Sequence, residues 1–132
     1  MPVPSDQQIS TLLVVEPDVL VRMVIAAYLR ECGFTVIEGV TAEDAMAVLE
    51  AGHRVDIVFA DVKPAGRLDG FGLAQWLRAH HPRIDVLLTS SVAKTAEKAA
   101  DLCEEGPLEK PYHPQEVVRR IKALLERRRA DQ

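Results

Sequence analysis

Four short stretches carry residue types that together could handle a phosphoryl group and a divalent cation. They are Glu16-Pro17-Asp18, Asp61, Thr89-Ser90 and Lys110-Pro111, and each directly follows a short apolar segment. Carboxylate oxygens are hard donors that suit Mg2+, while an ammonium and a hydroxyl can bind phosphoryl oxygens. Within such a set Asp61 could be a nucleophile, because a carboxylate in line with an activated phosphoryl group forms an acyl phosphate once the phosphoryl charge is neutralised. Taken singly, the same residues have plainer accounts. Asp61 could be a solvated carboxylate after a strand, Lys110 an ordinary surface lysine, and Thr89 a strand-end hydroxyl satisfied by backbone.

These residues meet only if the segments before them are neighbouring strands. Five apolar segments, Thr11 to Val15, Thr35 to Val40, Val55 to Ala60, Val86 to Thr89 and a weak one near Pro107 to Glu109, alternate with stretches of helical periodicity. That alternation predicts an α/β fold with a parallel sheet. Leu12 to Val15, Ile57 to Ala60 and Val86 to Leu88 are apolar without alternation, as central strands are when helices cover both faces. The other two read as edges. In an open sheet of this kind ligands bind beyond the carboxyl ends of the strands, which is where all four stretches fall.

The helices are announced by their ends. Leu20, Val21, Val24, Ile25, Tyr28 and Leu29 recur at helical spacing, with Gly33 as a stop. Thr41 offers a cap for a second helix, with Asp44 three residues on, and that helix should end near Gly52. A third runs from about Gly70 to His80, turning Phe71, Ala74 and Leu77 inward with Trp76 on its flank, and Pro82 stops it. A fourth candidate, Ala93 to Cys103, is alanine-rich and would be held loosely because it buries little area. His113-Pro114-Gln115-Glu116 starts the last helix, whose buried stripe is Val117, Val118, Ile121, Leu124 and Leu125.

Size and composition set outer bounds. The chain has 132 residues, 48% of them hydrophobic, which suits one globular domain. A flexible segment 1–10, a domain over 11–128 and a tail over 129–132 are expected, with no attached output domain. No apolar run approaches the roughly 20 residues of a membrane span, and no secretory signal is indicated, so a cytoplasmic location is expected. The two cysteines, Cys32 and Cys103, lack metal-type spacing and read as core or helix-end residues. A net charge of −4 argues against general attraction to nucleic acid, and the arginines between Arg119 and Arg129 read as cations complementing a helix C-terminus. His80 and His81 are read the same way, His53 as a turn residue and His113 as a cap.

The stretches Leu12 to Asp18, Val55 to Val62, Leu68-Asp69-Gly70, Leu87 to Ser90 and Glu109 to Tyr112, in this order and spacing, resemble the receiver domains of bacterial response regulators from about Thr11 to Leu125. The resemblance implies a flavodoxin-like, doubly wound five-stranded sheet of order 2-1-3-4-5. It also implies a single-domain regulator that is a phosphoacceptor rather than an enzyme, with at most self-catalysed phosphotransfer and dephosphorylation. Phosphate would pass to Asp61 from a histidine kinase or histidine phosphotransfer protein, with Lys110 and Thr89 binding the phosphoryl group and Mg2+ as cofactor. Its implied metal ligands are Glu16, Asp61 and the backbone carbonyl of Lys63. Ser90, Pro107, Pro111 and Tyr112 fall at switch or packing positions, and Arg22 and the Pro114 to Arg120 segment look like those of hybrid-kinase and single-domain receivers. Output would be protein contact, with an unidentified downstream protein or a second copy, on the face of the 93–103 helix, the last strand and the last helix.

Three departures from the family pattern bear on chemistry. Pro17 stands where a second acid is usual, so a metal ligand is missing unless Asp18 swings in or Glu16 reaches further. Weak Mg2+ affinity and slow phosphorylation are expected. Lys63-Pro64-Ala65-Gly66-Arg67 runs one residue longer than the commonest loop. Pro107 replaces a switch residue that is commonly aromatic. A pseudo-receiver, a binding module of the same fold that works without phosphate, is therefore the alternative reading. A small flavoprotein or phosphatase on the same sheet is disfavoured because no glycine-rich phosphate loop follows the first strand and no nucleophilic cysteine stands at a loop.

Overall fold

A computed structural model describes residues 10–62, 67–90, 108–109 and 113–130. Among these, β1 (Thr11–Val15), β2 (Thr35–Gly39), β3 (Ile57–Asp61), β4 (Asp85–Ser90) and β5 (Leu108–Glu109) form one sheet in the order β2-β1-β3-β4-β5. Every pairing is parallel. The helices are α1 (Val19–Glu31), α2 (Ala42–Glu50), α3 (Gly70–His80) and α4 (Pro114–Ala130). The α/β architecture and strand order expected from the sequence are present, while the helix expected over 93–103 lies outside the described residues.

The unalternated apolar runs are explained by two cores, one on each face of the sheet. Leu12 and Val14 of β1 join Ile57, Phe59 and Leu87 under Ile25, Ala26 and Leu29 of α1 and Val117 and Ile121 of α4. The intervening Leu13 and Val15 turn the other way, joining Val58, Ala60 and Leu88 under Ala42, Ala45 and Leu49 of α2 and Phe71, Leu73 and Leu77 of α3. Successive side chains on a strand point to opposite faces, so both parities must be apolar here. The three central strands therefore leave their polar residues at their ends, where the site must form.

Local signals set the helix boundaries. Thr41 Oγ1 accepts from the Asp44 N–H at 3.0 Å while Asp44 Oδ2 accepts from the Thr41 N–H at 3.1 Å, closing the capping box. The Val40 and Thr41 N–H groups, bonded to the Asp44 carboxylate, hold its pKa below the ordinary value. α1 and α2 each end in a glycine with positive φ, Gly33 at 99° and Gly52 at 90°. At the first, the Phe34 N–H reaches the Leu29 carbonyl and the Gly33 N–H the Arg30 carbonyl, the 6→1 and 5→2 bonds of a Schellman ending.

Two expectations are refined. The helical spacing of α1 includes Leu20 and Val24, yet they are 74% and 62% exposed, and Val19 and Met23 are exposed beside them. Burial on α1 begins only at Ile25, so the first turns of the helix present an apolar face at the carboxyl end of β1. α4 continues to Ala130, beyond the expected end at 128, and is pinned near its end. Arg128 Nη1 donates to the Asp56 carbonyl at 2.9 Å, and its guanidinium lies 3.8 Å from Asp56 Oδ1 and 3.7 Å from Asp85 Oδ2. Cys32 is exposed at the end of α1, as a helix-end residue.

Candidate functional site

The registers put three of the sequence-nominated residues side by side. β1 and β3 pair Val15 with Ala60, so Glu16 and Asp61 follow one step beyond on adjacent strands. β3 and β4 pair Asp61 directly with Thr89. A row Glu16, Asp61, Thr89 thus crosses the carboxyl edge of the three central strands. All three are nearly closed off from solvent, at 1%, 9% and 0% exposure.

The turn after β1 is fixed by its own hydrogen bonds. Glu16 extends the ladder through its N–H to the Gly39 carbonyl at 3.0 Å, and its Oε2 accepts from the Asp18 N–H at 3.0 Å. Pro17 between them contributes neither a carboxylate nor an N–H. Asp18 is the N-cap of α1, and its Oδ1 accepts from the Leu20 N–H at 2.9 Å and the Val21 N–H at 3.2 Å. The carboxylate that might have replaced the missing acid is therefore committed to capping the helix.

Among the described residues, Thr89 Oγ1 is buried without a hydrogen-bond partner. A buried hydroxyl left unpaired costs about 1–3 kcal/mol, and this one keeps its bonding capacity beside Asp61. The donor set fits a hydrated hard cation with few protein ligands, since Mg2+ commonly keeps several waters and takes one or two carboxylates. Among the described residues no group of three or more His, Cys, Asp or Glu could hold a metal ion. Beside the end of β3 stands Gly70, whose N–H donates to the Val62 carbonyl at 2.9 Å. Glu43 of α2 accepts from the Leu68 N–H at 3.1 Å, just before α3.

Of the other nominated residues, Ser90 ends β4 opposite Glu109 of β5. Lys63, Pro107, Lys110, Pro111 and Tyr112 lie outside the described residues. His113 begins α4 through its carbonyl, which accepts from the Glu116 N–H at 2.9 Å. His80 and His81 flank the Trp76 ring, with centroids 5.1 and 5.2 Å away. The sequence reading did not foresee the reach of Arg22, whose Nη1 donates to the Glu16 carbonyl at 2.8 Å and whose Nε lies 3.4 Å from Glu38 Oε1. That link needs the pairing of Val14 with Glu38, which is a long-range register with no local signal.

The model of the response regulator receiver domain matches residues 12–122. The chain belongs to the response regulator receiver family. Receivers are signalling modules of two-component systems, generally not enzymes, and typically bind Mg2+ at the phosphorylation site. Among relatives, the heme response regulator HssR of Staphylococcus saprophyticus is 31% identical over 89% of this receiver and 52% of its own length. A sensor kinase, CckA of Brucella abortus, is 34% identical over 89% of this receiver and 13% of its own length. This receiver spans about half the length of the first transcriptional regulators it matches. Among solved structures, a CheY-like receiver protein from Methanospirillum hungatei superposes with a TM-score of 0.85 at 17% identity, covering 95% of this chain and all of its own. The signal receiver domain of an HD domain-containing protein from Pseudomonas fluorescens gives 0.84 at 20%, covering 99% of this chain and 97% of its own. At those identities the structural likeness concerns the fold alone.

Proposed function

We propose that Asp61 accepts a phosphoryl group from the phosphohistidine of a histidine kinase or phosphotransfer protein, and that the chain signals by protein contact in the cytoplasm. The observation that carries this reading is the buried row Glu16, Asp61, Thr89 with an unpartnered hydroxyl at its end. In the transfer an Asp61 carboxylate oxygen attacks phosphorus, a P–O bond forms, the P–N bond breaks, and the electron pair leaves with the imidazole nitrogen. Thr89 Oγ1 donates to a phosphoryl oxygen, and Lys110 supplies a positive charge to another. Glu16, Asp61 and the Lys63 carbonyl would hold Mg2+, which when bound would neutralise phosphoryl charge. Asp18 stays the cap of α1. The apolar face at the start of α1, which borders the same edge, supports a protein rather than a small molecule as the donor. Among the described residues no helix is long and apolar enough to cross a membrane.

The decisive experiment is phosphotransfer from a cognate kinase to wild type, Asp61→Ala and Pro17→Asp. Loss of labelling in Asp61→Ala and a gain in Pro17→Asp are expected; equal labelling of all three overturns the site. A second reading, a pseudo-receiver that binds partners without phosphate, is favoured by Pro17 together with the capping role of Asp18. Titration with Mg2+ and beryllofluoride separates the two, because a pseudo-receiver shows no spectral change at millimolar metal.

A further inference from the structure

We propose that Arg22 is a positioning residue for the cation site at Asp61, holding the Glu16-Pro17-Asp18 turn by its main chain while anchored to Glu38. The proposal rests on the reading of Asp61 as an acceptor served by a bound cation.

The anchoring is a chain of contacts across three elements. Arg22 lies one turn into α1, and its side chain is largely covered, at 15% exposure. Its Nη1 takes the Glu16 carbonyl at 2.8 Å and its Nε faces Glu38 Oε1 at 3.4 Å. The second oxygen of Glu38, Oε2, meets Arg30 Nη1 at 3.1 Å, while Arg30 Nη2 donates to the Val36 carbonyl at 2.9 Å. Glu38 in turn pairs in register with Val14, two residues before Glu16. Both arginines of α1 thus hold β2, but only Arg22 also touches the turn.

That contact matters because of what Pro17 removes. With no N–H at Pro17, the turn is closed by the Asp18 N–H to Glu16 Oε2 at 3.0 Å. This small ring turns the Glu16 carboxylate, and its geometry follows from where the Glu16 main chain lies. Arg22 fixes that main chain. A guanidinium fork can serve a carbonyl and a carboxylate together, whereas an ammonium is a single point charge. Groups that orient a metal ligand without touching the metal change affinity by about 10–100-fold when removed.

The test compares Arg22→Lys, Glu38→Gln and Arg30→Lys in the intact chain. Mg2+ affinity is read by calorimetry, the Asp18 amide by 15N NMR, labelling by acetyl phosphate at saturating Mg2+, and stability by thermal melting. Arg22→Lys and Glu38→Gln should weaken Mg2+ binding about tenfold and shift the Asp18 amide, with labelling recovering at saturating Mg2+. Arg30→Lys, which shares the Glu38 contact but not the turn, should lower the melting temperature and leave Mg2+ affinity unchanged. If wild type binds Mg2+ and all three variants bind it equally, this proposal alone is overturned. If wild type binds none, the metal reading falls and this proposal with it.

Discussion

Gly70 is packed so tightly against Asp61 that a Cβ built on it would come within 2.6 Å of the Asp61 carbonyl oxygen and 2.7 Å of the Val62 Cα. Both atoms are backbone, so neither can swing aside. Gly70 also opens α3 directly behind its cap, Asp69, whose Oδ1 accepts from the Gly72 N–H at 2.7 Å. Gly70→Ala must therefore push the end of β3 away from α3. Overpacking of this kind costs about 1–3 kcal/mol, and the displacement falls on Asp61, the proposed acceptor. Urea denaturation and phosphotransfer should both show losses. A variant with wild-type labelling would mean that the end of β3 tolerates movement.

Thr89 should behave in the opposite sense. Its hydroxyl is buried and unpartnered, so Thr89→Val removes a polar atom at nearly constant shape. Stability should rise by on the order of 1 kcal/mol, because the penalty for the unpaired hydroxyl disappears. On the proposed role of the hydroxyl as a hydrogen-bond donor to the phosphoryl group, phosphoryl acceptance and the lifetime of the phosphorylated state should fall. Melting curves and labelling measured on the same preparation check both halves. A loss of stability would show that the hydroxyl serves the unliganded fold.

Asp18 separates capping from metal binding. Asp18→Ala should lower stability by about 1 kcal/mol through loss of the bonds to the Leu20 and Val21 N–H groups. Asp18→Ser keeps a capping oxygen and discards the carboxylate. Its stability and its Mg2+ affinity should both match wild type. A tenfold weaker Mg2+ affinity in Asp18→Ser would make the carboxylate a ligand after all.

The legible part of this protein is the part governed by local pattern. The sheet could be read because Leu12 to Val15 and Ile57 to Ala60 must fill two cores, and their carboxyl ends marked Glu16 and Asp61 as neighbours. The cap at Thr41 was legible too, although with Asp44 in place of Glu or Gln it read as a weaker relative of the capping box that the structure shows. Leu20 and Val24 were not, since helical spacing marks a face but not how far along the helix the sheet reaches. The clamp from Arg22 to Glu38 was invisible because it depends on which residue of β2 stands beside Val14. The same holds for Arg128, which closes on Asp56 and Asp85 from 72 residues away in the first case.

That distant clasp carries a pH dependence of definite sign. Asp85 lies where burial pushes its pKa above the ordinary 3.8, and Arg128 and Arg127 only partly oppose the shift. Its Oδ2 is shut from water, and Arg128 Nε at 3.7 Å is too far to bond it. A carboxyl with a raised folded-state pKa holds its proton more tightly in the native chain. Its stabilising contribution is present below 3.8 and is lost as pH rises through the higher folded value. Asp85→Asn keeps the size without the charge, so its stability relative to wild type should climb as pH is raised from 3.8 through the folded value and level off above it. Asp44, held below 3.8 by its backbone bonds, has the opposite sign, and its contribution is present above 3.8 and lost as pH falls through the lower value. Asp44→Asn should therefore be the less stable chain at neutral pH and converge on wild type in acid. Urea denaturation of the three chains across this range reads both slopes, and parallel curves for Asp85→Asn and wild type would show that the clasp leaves the Asp85 carboxyl as hydrated as in the unfolded chain.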